Sequence, residues 1–150
     1  MSALSSMSVL LVEDNPDDVA LIQRAFRKAN IANPLRVVTD GEEAVAYLAG
    51  RGEYADRARH PLPVLVLLDL KLPKRSGHEV LAWLRSQEGL RRLPVAVLTS
   101  SREAADVNRA YDLGANAYLQ KPVGFEALHE LVGTLNLFWL ILNEKPDLCS

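Results

Sequence analysis

The chain has 150 residues, of which 49% are hydrophobic and 24% charged, and a formal net charge of −2. That length suits one domain with a substantial core, and the near-neutral balance gives no electrostatic reason to expect nucleic acid as a partner. A single cysteine, Cys149, excludes an intrachain disulfide, and the longest unbroken apolar run near the end, Leu137 to Leu142, is too short to span a bilayer.

Residues 1–7 read as an N-terminal extension. The stretch Met1 to Ser8 lacks the basic and apolar regions of a signal peptide, so the expectation is a soluble cytoplasmic protein with no membrane partner. Val9-Leu10-Leu11-Val12 is a strand-like run closed by Glu13-Asp14, after which Asn15 can cap a helix with Pro16 in its first turn. Val19, Ile22, Ala25 and Phe26 recur at helical spacing through about Ala29. Asn33-Pro34 interrupts the chain before a second strand, Leu35 to Val38, and Asp40-Gly41 opens a short helix carrying Ala44, Val45 and Leu48. Gly50 to Pro63 is polar and punctuated by glycine and proline, which predicts a long loop with a helical turn.

Val64 to Leu68 is apolar throughout, as a central parallel strand buried on both faces requires, and it ends on Asp69. A helix follows Gly77, with Val80, Leu81 and Leu84 on one face. Pro94 introduces a fourth strand, Val95-Ala96-Val97-Leu98, closed by Thr99. Ser101-Arg102-Glu103 leads into a helix that Gly114 stops. A short fifth strand, Ala117-Tyr118-Leu119, precedes Lys121-Pro122, and a last helix begins near Gly124. The alternation predicts an α/β fold, a (βα)5 doubly wound sheet of five parallel strands, over residues 8–142, with a tail over 143–150.

Four of the strands thus end on a polar residue, and in such sheets the carboxyl ends of the strands form the binding edge. Glu13-Asp14 alone reads equally well as a favourable charge at a helix start. Joined by Asp69, the pair becomes a cluster whose repulsion a divalent cation would relieve; Mg²⁺ takes one or two carboxylates together with waters and a phosphate oxygen. Thr99 alone would be a strand-end hydroxyl and Lys121 alone a surface lysine. An X-Pro bond can be cis, and a cis Pro122 would aim the lysine at Asp69.

In this order, Glu13-Asp14, Asp69, Thr99, Tyr118 and Lys121-Pro122 resemble the receiver domain of CheY-like response regulators, over roughly Ser8 to Leu140. The resemblance implies a flavodoxin/CheY-like fold, Asp69 as phosphoacceptor, and Mg²⁺ held by Asp14, Asp69 and the Lys71 carbonyl, with Glu13 acting through water. It further implies that Thr99 and Lys121 bind the phosphoryl group and that Tyr118 changes rotamer with it. Leu68-Asp69-Leu70-Lys71-Leu72-Pro73-Lys74, the Gly50–Pro63 insert and Phe138-Trp139-Leu140 look like the regulators paired with phytochrome-type histidine kinases. Ser76 before Gly77 and the bulky Lys71 depart from the commoner receiver pattern; Lys71 implies an altered acyl-phosphate lifetime.

In the last helix Phe125, Leu128, Val132, Leu135, Trp139 and Leu142 form one stripe, yet Leu137 to Leu142 is apolar all round. This predicts a homodimer through the C-terminal helix, with Phe138 and Trp139 at the contact. No output domain follows the helix, so output is expected through partner binding, not separate turnover. A phosphate sink for the kinase is the alternative role. A haloacid-dehalogenase-type phosphatase needs an acid where Lys71 stands, and an FMN carrier would not place Glu13 to Asp18 at its phosphate loop. The intact acceptor set argues against a pseudo-receiver.

Overall fold

The computed structural model describes residues 7–148; Cys149 and most of the N-terminal extension lie outside them. Five strands, β1 (Val9–Val12), β2 (Leu35–Val38), β3 (Leu65–Leu68), β4 (Val95–Thr99) and β5 (Ala117–Gln120), form one parallel sheet in the order β2-β1-β3-β4-β5. Helices α1 (Pro16–Lys28), α2 (Gly41–Ala49), α3 (Gly77–Ser86), α4 (Ala104–Asp112) and α5 (Phe125–Leu135) connect them. The two-residue period of a strand splits its side chains between two cores. Leu10, Val12, Val66, Leu68, Val95 and Val97 pack under α2, α3 and α4. Val9, Leu11, Leu65, Leu67, Ala96 and Leu98 pack under α1 and α5. The strand order reverses between β1 and β3, so a crevice opens at their carboxyl ends.

Local chemistry fixes each entry to that edge. The Asn15 side chain accepts from the Asp17 and Asp18 amides and caps α1. Ser76 and Glu79 form a reciprocal capping box that starts α3. Gly77, the first residue of α3, has no room for a side chain: a Cβ there would lie 2.2 Å from the Asp69 carbonyl oxygen. The Gly50–Pro63 insert contains one 3-10 turn, Gly52–Ala55. It is sealed onto α2 by Arg57, whose guanidinium donates to the Tyr47, Leu48 and His60 carbonyls.

The end of the chain departs from a simple helical stripe. After Leu135 the backbone widens into π-type turns over Asn136–Leu142. Five residues per hydrogen-bonded step carry the inward face from Leu135 to Leu140, and both are buried. Trp139 is half-buried against the α1–α5 core and meets Phe138 edge to face at 5.2 Å. Leu137, Phe138 and Ile141 face outward, with Phe138 55% exposed. The Leu142 side chain lies outside the described residues. Lys145 closes the segment by donating to the Leu140 and Asn143 carbonyls. No helix among the described residues is long and apolar enough to cross a membrane.

Candidate functional site

Each polar residue at the edge is held by one more rung of the sheet ladder. The Glu13 amide donates to Val38, the Asp69 amide to Val12 and the Lys121 amide to Thr99, at 3.0, 3.1 and 2.7 Å. Parallel strands in register therefore deliver these side chains at one level, although they come from distant parts of the chain.

Carboxylate oxygens of Glu13, Asp14 and Asp69 lie within 4.8 Å of one another. Glu13 and Asp69 are buried while Asp14 is exposed at the mouth. Asp69 Oδ1 accepts from the Leu70 amide at 2.7 Å and the Lys71 amide at 3.4 Å. Its Oδ2 accepts from Lys121 Nζ at 2.9 Å. The same ammonium reaches Glu13 Oε1 at 2.5 Å and Asp18 Oδ2 at 3.0 Å. Glu13 Oε2 is satisfied by the Asn15 amide at 3.1 Å.

Burial pushes the Glu13 carboxyl up to about 7, and the Asp69 charge adds to the rise, against hydrogen bonds from Lys121 and Asn15 that lower it. Burial would depress the Lys121 ammonium, but hydrogen bonds to Glu13, Asp69 and Asp18 outweigh it and hold the lysine above its ordinary value. The donor set is wholly oxygen, two of its acids are shielded from bulk water and one is open. That is the set a hard divalent ion takes while keeping waters.

Thr99 Oγ1 is fully buried and has no hydrogen-bond partner among the described residues. A buried hydroxyl left unmade is costly, and this one sits at the end of β4, beside β3 and its Asp69. Tyr118 lies on β5, half-buried, and its hydroxyl donates to the Ser101 carbonyl at 3.0 Å. Ser101 in turn donates to Asp106 at 2.6 Å, so the loop after Thr99 is tied to α4 and to Tyr118 together.

The structure brings Glu13, Asp14, Asp69, Thr99 and Lys121 to one crevice, with Lys71 on its rim and Tyr118 one loop away. Phe138 and Trp139 lie on the terminal segment, apart from it. The Lys121-Pro122 bond, expected to be cis, is trans, and no cis peptide occurs among the described residues. The trans isomer is the lower in energy by about 0.5–1 kcal/mol, and from it the flexible lysine stem already reaches Asp69, so no isomerisation is needed to aim it. Asp18 is the residue that sequence reasoning missed. An acid in the first turn of α1 reads as a partner of the helix dipole, and nothing local points to a lysine 103 positions away.

The response regulator receiver domain model matches residues 9–133. Response regulator Rcp1 of Synechocystis sp. is 41% identical over 88% of this chain and 88% of its own. Its Mn²⁺-bound crystal structure superposes with a TM-score of 0.84 at 39% identity, over 93% of this chain and 99% of that one. The phosphorylated cyanobacterial phytochrome response regulator RcpA gives 0.87 at 40% identity, over 94% and 99%. A probable methanogenesis regulatory protein, FilR2 of Methanothrix harundinacea, is 41% identical over 92% of this chain and 86% of its own.

Proposed function

Because the chain belongs to the response regulator receiver domain family, we propose that it accepts a phosphoryl group on Asp69 from a sensor histidine kinase and changes its binding surface in response. One observation carries the reading: Asp69 is gripped by the Lys121 ammonium beside a buried Thr99 hydroxyl that has no partner among the described residues. Asp69 Oδ2 attacks the phosphorus of a donor phosphohistidine in line. The P–O bond forms as the P–N bond breaks, and the imidazole leaves with the electron pair. Lys121 offsets charge on the transferring oxygens, and the protein contributes mainly position and electrostatics. Asp14, Asp69 and the Lys71 carbonyl would hold Mg²⁺, with Glu13 acting through water; when bound, the ion supplies positive charge to the phosphoryl oxygens. Thr99 donates to a phosphoryl oxygen, and its shift draws on the Ser101 loop that Tyr118 holds, coupling the event to the surface.

The kinase is of the phytochrome type, a reading supported by likeness to Rcp1 and RcpA. The protein acts in the cytoplasm and pairs as a homodimer through Leu137, Phe138 and Ile141, the outward residues of the terminal segment, with Trp139 bracing Phe138. Incubation with acetyl phosphate and Mg²⁺ tests the acceptor. Intact mass should show one hydroxylamine-sensitive phosphoryl adduct on wild type and none on Asp69→Asn; an adduct that persists on Asp69→Asn refutes the assignment. A panel of phytochrome-type and unrelated kinases tests the pairing, and equal transfer from both groups would count against it.

A further inference from the structure

Lys121 has three carboxylate partners and they are not equivalent. Glu13 and Asp69 belong to the cluster of oxygens suited to a divalent cation, and Asp14 belongs to that cluster without touching the lysine. Asp18 is the reverse: it holds Lys121 Nζ at 3.0 Å and lies outside the cation cluster. We propose that Asp18 is a positioning residue that retains the Lys121 ammonium when Glu13 and Asp69 turn to a cation, and thereby sets how tightly that cation binds. The inference rests on the metal-assisted acceptor reading of the same crevice.

In the metal-free protein the lysine itself serves as counter-ion to Glu13 and Asp69. A divalent ion at those oxygens repels the ammonium, which must give up part of its contact with them. Asp18 is the one lysine contact that carries no metal-facing duty. Its position is fixed: the Asn15 side chain binds the Asp18 amide, and the Asn15 amide binds Glu13, so residues 13–18 form one hydrogen-bonded unit. On the Asp18 side of the lysine lies a cavity of about 50 Å³, lined by Leu21, Ile22, Leu98, Pro122 and Leu128. That space lets the lysine stem swing toward α1 without displacing packed side chains.

Mg²⁺ titration by calorimetry, on the full chain without phosphodonor, tests this with a double-mutant cycle. Asp18→Asn should weaken Mg²⁺ binding roughly fivefold, the scale of one partly exposed ion-pair contact, and Asp18→Glu should restore most of it. In a Lys121→Gln background the same Asp18→Asn change should alter affinity less than about twofold, because no ammonium remains to be held. Asp18→Ser, which suits a first helical turn, replaces Asp18→Asn should that variant not fold. A loss of equal size in both backgrounds would mean a direct field effect on the cation and would overturn the proposal. So would an unchanged affinity in Asp18→Asn; either result leaves the acceptor reading intact. Absence of any saturable Mg²⁺ signal in wild type would sink the metal-assisted reading and the role of Asp18 with it.

Discussion

The Lys121 amide donates to the Thr99 carbonyl at 2.7 Å, so the site's ammonium and its buried hydroxyl are fastened together through the backbone while their side chains meet different demands. The lysine is saturated by three carboxylates. The threonine hydroxyl has no partner among the described residues. The first is fully paired in this state, and the second is open to the phosphoryl oxygen that the proposed function would bring.

That contrast predicts opposite effects on stability and function for Thr99→Val. Removing an unsatisfied buried hydroxyl should raise the stability of the unphosphorylated protein by about 1 kcal/mol. Phosphoryl uptake from acetyl phosphate should slow at least several-fold. Urea denaturation and a phosphorylation time course on the same samples check both; a destabilised variant would show that Thr99 is already satisfied.

Glu13 gives the metal-free protein a pH dependence of defined sign. Its carboxyl stands near 7 in the folded chain against an ordinary 4.5, so folding binds an extra proton between those values. The stability attributable to Glu13 is highest below 4.5, falls as pH rises toward 7, and is level above that. Lys121 is held above its ordinary 10.5, so its contribution is complete across this window and is lost only as pH rises through its raised folded value. Melting temperatures measured without divalent ions should therefore fall between pH 5 and 7.5, and Glu13→Gln should flatten that slope.

Asp14 is exposed and makes no contact with Lys121, so its removal leaves the lysine network in place. Asp14→Ala should weaken Mg²⁺ binding about tenfold or more while raising metal-free stability by about 0–1 kcal/mol through relief of repulsion. Calorimetric titration and thermal melts decide, and an unchanged titration removes Asp14 from the site.

Gly77→Ala should destabilise the fold by about 1–3 kcal/mol, since the new methyl would press on rigid backbone, the Asp69 carbonyl and the Leu70 Cα, and not on a mobile side chain. Phosphorylation should slow as well, because the strain falls on Asp69, the proposed acceptor. Full retention of both properties would mean that α3 can move away at little cost.

Phe138 and Trp139 should separate assembly from folding. Phe138→Ala should shift sedimentation toward monomer with little change in monomer stability. Trp139→Ala, which empties half-buried space against α1 and α5, should cost about 1–3 kcal/mol of fold stability as well. A Phe138→Ala protein as dimeric as wild type would remove the terminal segment from the interface.

The apolar runs and the polar residues that close them were legible in the chain, because a parallel strand buried on both faces leaves little freedom in composition. Val9 to Val12 and Leu65 to Leu68 illustrate this: every residue in them is buried. Asn15, Asp40 and Ser76 cap helices by short-range hydrogen bonds that a local pattern can announce. Asp18 was not legible, because its partner is chosen by the packing of α1 against α5, the helix that follows Lys121. Leu140 was hidden because the wide turns after Leu135 break the 3.6-residue period on which the stripe depends. The Ser101 tie to Tyr118 uses a backbone carbonyl, which leaves no mark in residue types.

Lys121 follows β5, the edge strand farthest from β2, and is the last of the crevice residues to be synthesised. A nascent chain that has emerged only through β4 already carries Glu13, Asp14, Asp18, Asp69 and Thr99, but no ammonium to hold the acids together. Domains generally fold as units. Until β5 is in place, these acids lack the Lys121 counter-ion that the finished domain gives them. A chain cut short before residue 121 therefore keeps Asp69, the proposed acceptor, and lacks the lysine that grips it.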